Sequence, residues 1–170
     1  WVQDSDPTIQ NNIIEGGGAS GVVTDSLAEG IHVYASSSAE IVNNIITVTS
    51  GQNRHAISVG DASSPPASVN NNCFHDYGSG GFWRIYLDID RTLEYTEIGQ
   101  LNGTTYFPAS GNVATDPFLD WSGDWNFTID TPTTVTDGGL NLSALFTEDI
   151  TGATRPASPD PWSMGAYEKF

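Results

Sequence analysis

Positive charge is almost missing from this chain. Five basic residues, Arg54, Arg84, Arg91, Arg155 and Lys169, stand against 21 acidic ones, for a net charge of −16 over 170 residues. A surface of that sign repels phosphate, which argues against nucleic acid as a partner and equally against anionic membranes. It suits a soluble protein in a saline or extracellular setting, or one that holds divalent cations. Cysteine is as scarce. Cys73 stands alone, so no disulfide forms within the chain, and its place in an apolar pattern reads as a small buried hydrophobe. No stretch is long and apolar enough to insert in a membrane as a spanning helix, and no signal peptide opens the chain. The opening Trp1-Val2-Gln3 is already strand-like and reads as a mature or truncated start. Hydrophobic residues make up only 38%, which is thin for a closed globule but enough for a stack of strands around a narrow core. Lys, Gln and Leu are scarce too, which disfavours helices.

What is abundant is Gly, Ser, Thr and Asn, the chemistry of strands and turns. Three stretches align without a gap: Ile9-Gln10-Asn11-Asn12-Ile13-Ile14, Ile41-Val42-Asn43-Asn44-Ile45-Ile46 and Val69-Asn70-Asn71-Asn72-Cys73-Phe74. Each has an aliphatic residue, a paired Asn and two apolar residues. This is an internal repeat with a variable insertion. It predicts coils in which Ile9, Ile41 and Val69 form one column and Ile14, Ile46 and Phe74 another, with strands about 4.8 Å apart. The Asn pair suits a tight bend, because Asn tolerates left-handed backbone, and stacked Asn side chains can hydrogen-bond along the axis. Alternation in Ile31-His32-Val33 and Ile57-Ser58-Val59 predicts that these segments stack. The loop after the second of them is then two residues longer, which a surface loop tolerates.

Beyond Asp76 the pattern loosens. Residues 82–90 read as an aromatic strand, with Asp88 and Asp90 on one side. Residues 92–101 read as a strand or a short helix, and residues 140–146 as one or two helical turns. The tail from Arg155 is expected to fold back over the last coil and cover its edge. The coils occupy residues 1–110 and a capping segment of the same domain occupies residues 111–170.

The Asn coils resemble the right-handed parallel β-helix of the pectin-lyase-like superfamily. The final third resembles the closing segment of bacterial β-helix surface proteins of the choice-of-anchor Q group. Its pieces stand as Gly111-Asn112, Asp116-Pro117-Phe118, Gly123-Asp124, Asp137-Gly138-Gly139, the run from Asp149 through Gly152 to Arg155-Pro156, and Gly165-Ala166-Tyr167-Glu168. Ser163 departs from the Asp usual there. The resemblance implies an all-β right-handed parallel β-helix of about four coils with an irregular C-terminal cap. It implies a secreted or cell-surface protein with a binding or structural role. Its partner would be a polysaccharide, or another protein chain joined through the exposed N-terminal coil. It also carries an alternative: a polysaccharide-degrading enzyme, as hydrolase rather than lyase.

A lyase of that fold needs a basic residue beside a uronate carboxylate. Lys169 lies in the tail, leaving Arg54, Arg84 and Arg91, and the acidic surface disfavours acidic polysaccharides. A hydrolase needs converging carboxylates. Asp61, Asp76 and Asp88, with His55, His75 and Arg84, are the catalytic candidates, set near Arg54 and Trp83. Trp83, Tyr86 and Trp121 are candidate faces for sugar stacking, though such aromatics are more often packing anchors. Asp116, Asp120 and Asp124 recur at every fourth position in a loop with Gly, and oxygen ligands of that kind suit Ca²⁺. Arg155 is expected to pair with Asp149 or Glu168. No phosphate loop, dinucleotide fingerprint or zinc spacing is present.

Overall fold

The computed structural model describes residues 1–17, 27–78, 81–119 and 134–168. Within them the chain is nearly all-β. The strands are β1 (Val2–Gln3), β2 (Thr8–Gln10), β3 (Ile13–Gly16), β4 (Leu27–Tyr34), β5 (Glu40–Val42), β6 (Ile45–Val48), β7 (Asn53–Val59), β8 (Ser68–Asn70), β9 (Cys73–Asp76), β10 (Phe82–Asp88), β11 (Leu93–Tyr95), β12 (Ala109–Ser110) and β13 (Val113–Ala114), with one short helix, α1 (Ile98–Asn102). They form three sheets, ordered β1-β4-β7-β10-β11, β2-β5-β8-β12 and β3-β6-β9-β13. Every pairing is parallel except that of β11 with β10. The chain therefore visits the three sheets in rotation, four times, and strand pairing continues to Ala114, past residue 110.

Register puts like over like. Ile9, Ile41, Val69 and Ala109 are successive partners, as are Ile14, Ile46, Phe74 and Ala114. Ile31 pairs with Ile57 and Ile57 with Tyr86, which in turn faces Tyr95. These columns meet in one apolar cluster, where Ile41, Ile46, Ile57 and Val69 are fully buried. Each such side chain contributes about 1.5–3 kcal/mol of burial.

The two-residue bends between the second and third sheets show why Asn is doubled. The first residue of each bend has positive φ: Asn11 at 52°, Asn43 at 55°, Asn71 at 52° and Gly111 at 66°. Asn and Gly are the residues that adopt this region at least cost. The second residue builds a ladder. Asn44 Oδ1 accepts the backbone and side-chain N–H of Asn12 at 3.0 and 3.1 Å. Asn72 Oδ1 does the same for Asn44 at 2.9 and 3.0 Å, and Asn112 Oδ1 for Asn72 at 3.0 and 3.1 Å. Helix α1 closes the series, since Asn102 Oδ1 accepts from Asn112 Nδ2 at 2.8 Å. Each side-chain amide also donates to a main-chain carbonyl, as Asn72 Nδ2 does to Ile41 at 2.9 Å.

Two expectations are corrected. The strand of residues 82–90 ends at Asp88, and Asp88 and Asp90 do different work: buried Asp88 binds Arg91, while Asp90 accepts the Ala62 N–H at 3.1 Å. Residues 142–146 make the single turn expected there, closed by the Leu145 and Phe146 N–H groups on Leu142 O at 2.8 and 3.4 Å, so this reading stands and the other two are the corrections. The last passage is met by β11 and α1, while the described part of the tail runs along the side of the stack as a strap. Leu119, Val135 and Met164 of that strap cover Ile45 and Cys73, forming a second cluster. Its main chain grips the first Asn of two bends: Asn71 Nδ2 donates to Gly138 O at 3.0 Å, and Asn43 exchanges two bonds with Leu140, 2.7 and 2.8 Å. Gly139 is required there, because a Cβ would stand 2.8 Å from Trp162 O and 3.1 Å from Asn43 Cγ. Inside the strap Arg155 pairs with Glu168 at 2.9 Å, both side chains about 1% exposed, and Arg155 lies over the Trp162 ring.

Asn72→Ala is expected to lower stability by about 3–5 kcal/mol in urea denaturation, since several buried groups each lose a partner at about 1–3 kcal/mol apiece. Asn12→Ala, at the exposed end, is expected to cost less than about 1 kcal/mol. Equal losses at the two positions would contradict the ladder as the central support.

Candidate functional site

The candidate catalytic residues do not converge as one group: His55 and Arg84 are register partners on β7 and β10, and the others lie apart from them. Asp76 ends β9 and is held by Arg54, with Nε to Oδ1 at 2.8 Å and Nη2 to Oδ2 at 2.9 Å, and it also accepts the Gly78 N–H. Asp61 closes a turn by accepting from Ser63, Ser64 and the Ala35 N–H, which hold its carboxyl down at about 2. Asp88 is buried at the end of β10, 2.5 Å from Arg91 Nη1. His75 lies on the third sheet with its ring edge-on to Tyr77, whereas His55 lies on the five-stranded sheet. Arg84 Nε stands 2.9 Å from Glu94 Oε1, an ion pair off hydrogen-bond alignment. The three acids and Arg84 are thus engaged within the chain, whereas buried His55 Nδ1 has no hydrogen-bond partner among the described residues.

The stacking candidates divide. Tyr86 is buried against Tyr95 and Phe107, at ring distances of 5.5 and 5.1 Å, and burial raises its hydroxyl pKa, so it offers no face to a sugar. Trp83 is half-buried against the main core. Trp121 lies outside the described residues. So do Asp120 and Asp124 of the expected Ca²⁺ loop. Its remaining member, Asp116, accepts from the Tyr77 hydroxyl at 2.9 Å and the Phe118 N–H at 2.8 Å, which is turn chemistry. Among the described residues no group of three or more His, Cys, Asp or Glu side chains is placed to hold a metal ion. Cys73 is a buried free thiol whose pKa burial pushes up to about 12. No helix among the described residues is long and apolar enough to cross a membrane.

Sequence reasoning missed the densest polar cluster. On the five-stranded sheet Glu29 pairs in register with His55, and His32 with Ser58. Ser58 Oγ donates to Glu29 Oε1 at 2.6 Å. His32 Nδ1 lies 2.7 Å from Ser58 Oγ and 3.1 Å from Glu29 Oε2. His55 Nδ1 stands 3.9 Å from Glu29. Burial opposes ionisation of Glu29, but its contacts with His55, Ser58 and His32 outweigh this and hold its pKa at about 2. The serine has one proton and gives it to Glu29, so His32 Nδ1 must carry the proton in its contact with Ser58. His32 is then a donor to the serine and not its base, the reverse of what a serine nucleophile needs. Only the i, i+3 spacing of Glu29 and His32 hinted at this cluster, and cross-strand register supplied the rest.

Two further features stand at the N-terminal end. β1, β2 and β3 are edge strands of their sheets. Asn12, the exposed end of the ladder, presents an Oδ1 that meets no donor among the described residues. Beside it a cleft of about 280 Å³ lies between the first bend and the strap, lined by Gln10, Asn11, Phe146, Asp149, Arg155 and Ala166 among others. Asn11 is only 8% exposed, and both atoms of its side-chain amide lack a hydrogen-bond partner among the described residues, as does buried Arg155 Nε.

Glu29→Gln is expected to destabilise the protein most above pH 4.5. Because the folded pKa is depressed to about 2, the carboxylate's contribution is present above its unfolded value and is lost as pH falls from about 4.5 toward 2. Denaturation midpoints of both forms across that range test this, and a pH-independent difference would contradict it. Cys73 is expected to resist a thiol reagent such as dithionitrobenzoate in the native protein and to react fully after unfolding.

Comparison of the chain with protein-family models, with curated proteins and with solved structures finds no match.

Proposed function

We propose that the four passages are the coils of a right-handed parallel β-helix, and that the chain serves a binding or structural role outside the cell. The observation that carries this reading is the contrast between engaged side chains and three sheet edges that carry no further strand among the described residues. Asp61, Asp76, Asp88, Arg54, Arg84, Arg91 and Arg155 each hold a partner within the chain, whereas a hydrolase needs a pair of carboxylates directed at the substrate. Meanwhile β1, β2 and β3 end their sheets, and the Asn12 acceptor extends the ladder toward whatever lies beyond. A strand–bend–strand from another chain, carrying Asn at its bend, would continue both the main-chain pairing and the ladder. That is strand addition with a built-in register. The opposite end is less receptive, since α1 already supplies Asn102 to Asn112. The net charge of −16 keeps such a surface soluble and favours neutral over acidic glycans as neighbours.

The competing reading is a polysaccharide hydrolase. Incubation of the intact chain with neutral and acidic polysaccharides, with and without Ca²⁺, separates the two. No new reducing ends or unsaturated products are expected. Sustained release of sugar would replace the binding or structural role with the enzymatic one. In the same samples, amide hydrogen exchange of β2 and β3 is expected to be faster than that of β5 and β6, as an open edge requires. Equal protection would remove the support for strand addition.

A further inference from the structure

We infer that the cleft beside Asn11 is a binding site for a short extended peptide, and that Asn11 reads its main chain. The strap provides the precedent. At the third bend Asn71 donates to Gly138 O, and at the second bend Asn43 exchanges bonds with both the N–H and the C=O of Leu140. The strap advances two residues for each bend. The same stride would bring Leu142 to Asn11. The chain turns away instead: Asn141 Nδ2 donates to Asp160 O at 2.6 Å, and the Leu145 N–H returns to Leu142 O at 2.8 Å. Asn11 is thereby left in the same backbone conformation as Asn43, φ 52° against 55°, with a buried side-chain amide and nothing on either of its atoms.

The cleft takes the place that the strap vacates. One wall is Gln10 and Asn11, and the other is Phe146, Asp149, Arg155 and Ala166. Phe146 offers apolar contact to a side chain. Arg155 Nε is a second buried donor without a partner. A peptide residue in extended conformation presents a donor and an acceptor to one side, which is what Asn43 receives from Leu140. A sugar acetamido group presents one amide without that repeated pair. The site adjoins the open sheet edge through Gln10 and Asn12, but it rests on the Asn11 amide and the strap, so the peptide titration and the exchange rates of β2 and β3 test the two separately.

The test is titration of the ¹⁵N-labelled intact chain with the blocked tripeptide acetyl-Gly-Gly-Leu-amide, which copies residues 138–140, and separately with N-acetylglucosamine. The peptide is expected to shift the side-chain amide of Asn11 and the amide of Ala166. Asn11→Gly is expected to weaken peptide binding about tenfold or more with little change in melting temperature, because Gly111 makes the same bend in the fourth passage. Asn11→Asp, which keeps an acceptor but loses the donor, should weaken binding as well and serves if the glycine variant folds poorly. Asn43→Gly should lower the melting temperature, because its partner is the strap itself. No shift with the peptide, undiminished binding by the Asn11 variants, or equal binding of N-acetylglucosamine would overturn the assignment.

Discussion

The ladder of Asn12, Asn44, Asn72 and Asn112 is the constraint on which the rest depends. A thin core built from single columns of Ile and Val excludes a one-residue slip, which would turn the columns to the other face, but it tolerates a slip of two. A carboxamide does not. The Oδ1 of Asn44, Asn72 and Asn112 each takes two N–H groups from the neighbouring passage, and each Nδ2 reaches a main-chain carbonyl. Such a slip in any strand would leave several of these groups buried and unpaired. The ladder thus locks the bends, the bends lock the apolar columns, and the columns hold the three sheets together.

The strap exploits the same bends from outside. At the second and third bends the first Asn, held at positive φ by the turn, directs its amide away from the ladder and toward the main chain of residues 138–140. One dipeptide therefore serves two surfaces: the inner residue organises the stack and the outer one fastens the covering segment. Met164, Leu119 and Val135 then bury Ile45 and Cys73, which would otherwise lie exposed on the third sheet. The buried Arg155–Glu168 pair, with Ser163 donating to Glu168 at 2.8 Å, holds the strap's return in one conformation. Where the strap leaves the column, at Asn11, an unused copy of this device remains.

The acidic composition finds its explanation in local work more than in a site. Asp61 ties Ala35, Ser63 and Ser64 together. Asp149 collects Thr151, Ala153 and the Glu168 N–H, which lower its pKa against the opposing effect of burial. Glu29 joins β4 to β7 through Ser58, beside His32 of its own strand. Short loops between many short strands leave N–H groups that only a nearby carboxylate or hydroxyl can satisfy.

By itself the sequence determined the period, the bends and the columns. Paired Asn beside aliphatic residues admits few other arrangements, so the partners of Ile9, Ile41 and Val69 were legible, as were the buried state of Cys73 and one of the two partners offered for Arg155. Gly111-Asn112 was legible only as a motif; its membership of the ladder needed the intervening β11 and α1 to loop out, and a 40-residue gap hides that from any fixed spacing. Which acids are engaged could not be read either. The Arg54–Asp76, Asp88–Arg91 and Glu29–His32–Ser58 contacts follow from side-chain direction and cross-strand register, as does the burial of Tyr86. The path of the strap along the side of the stack, instead of over its end, was decided by tertiary structure alone. It rests on hydrogen bonds between residues 67 and 97 positions apart, a distance over which local pattern carries no information.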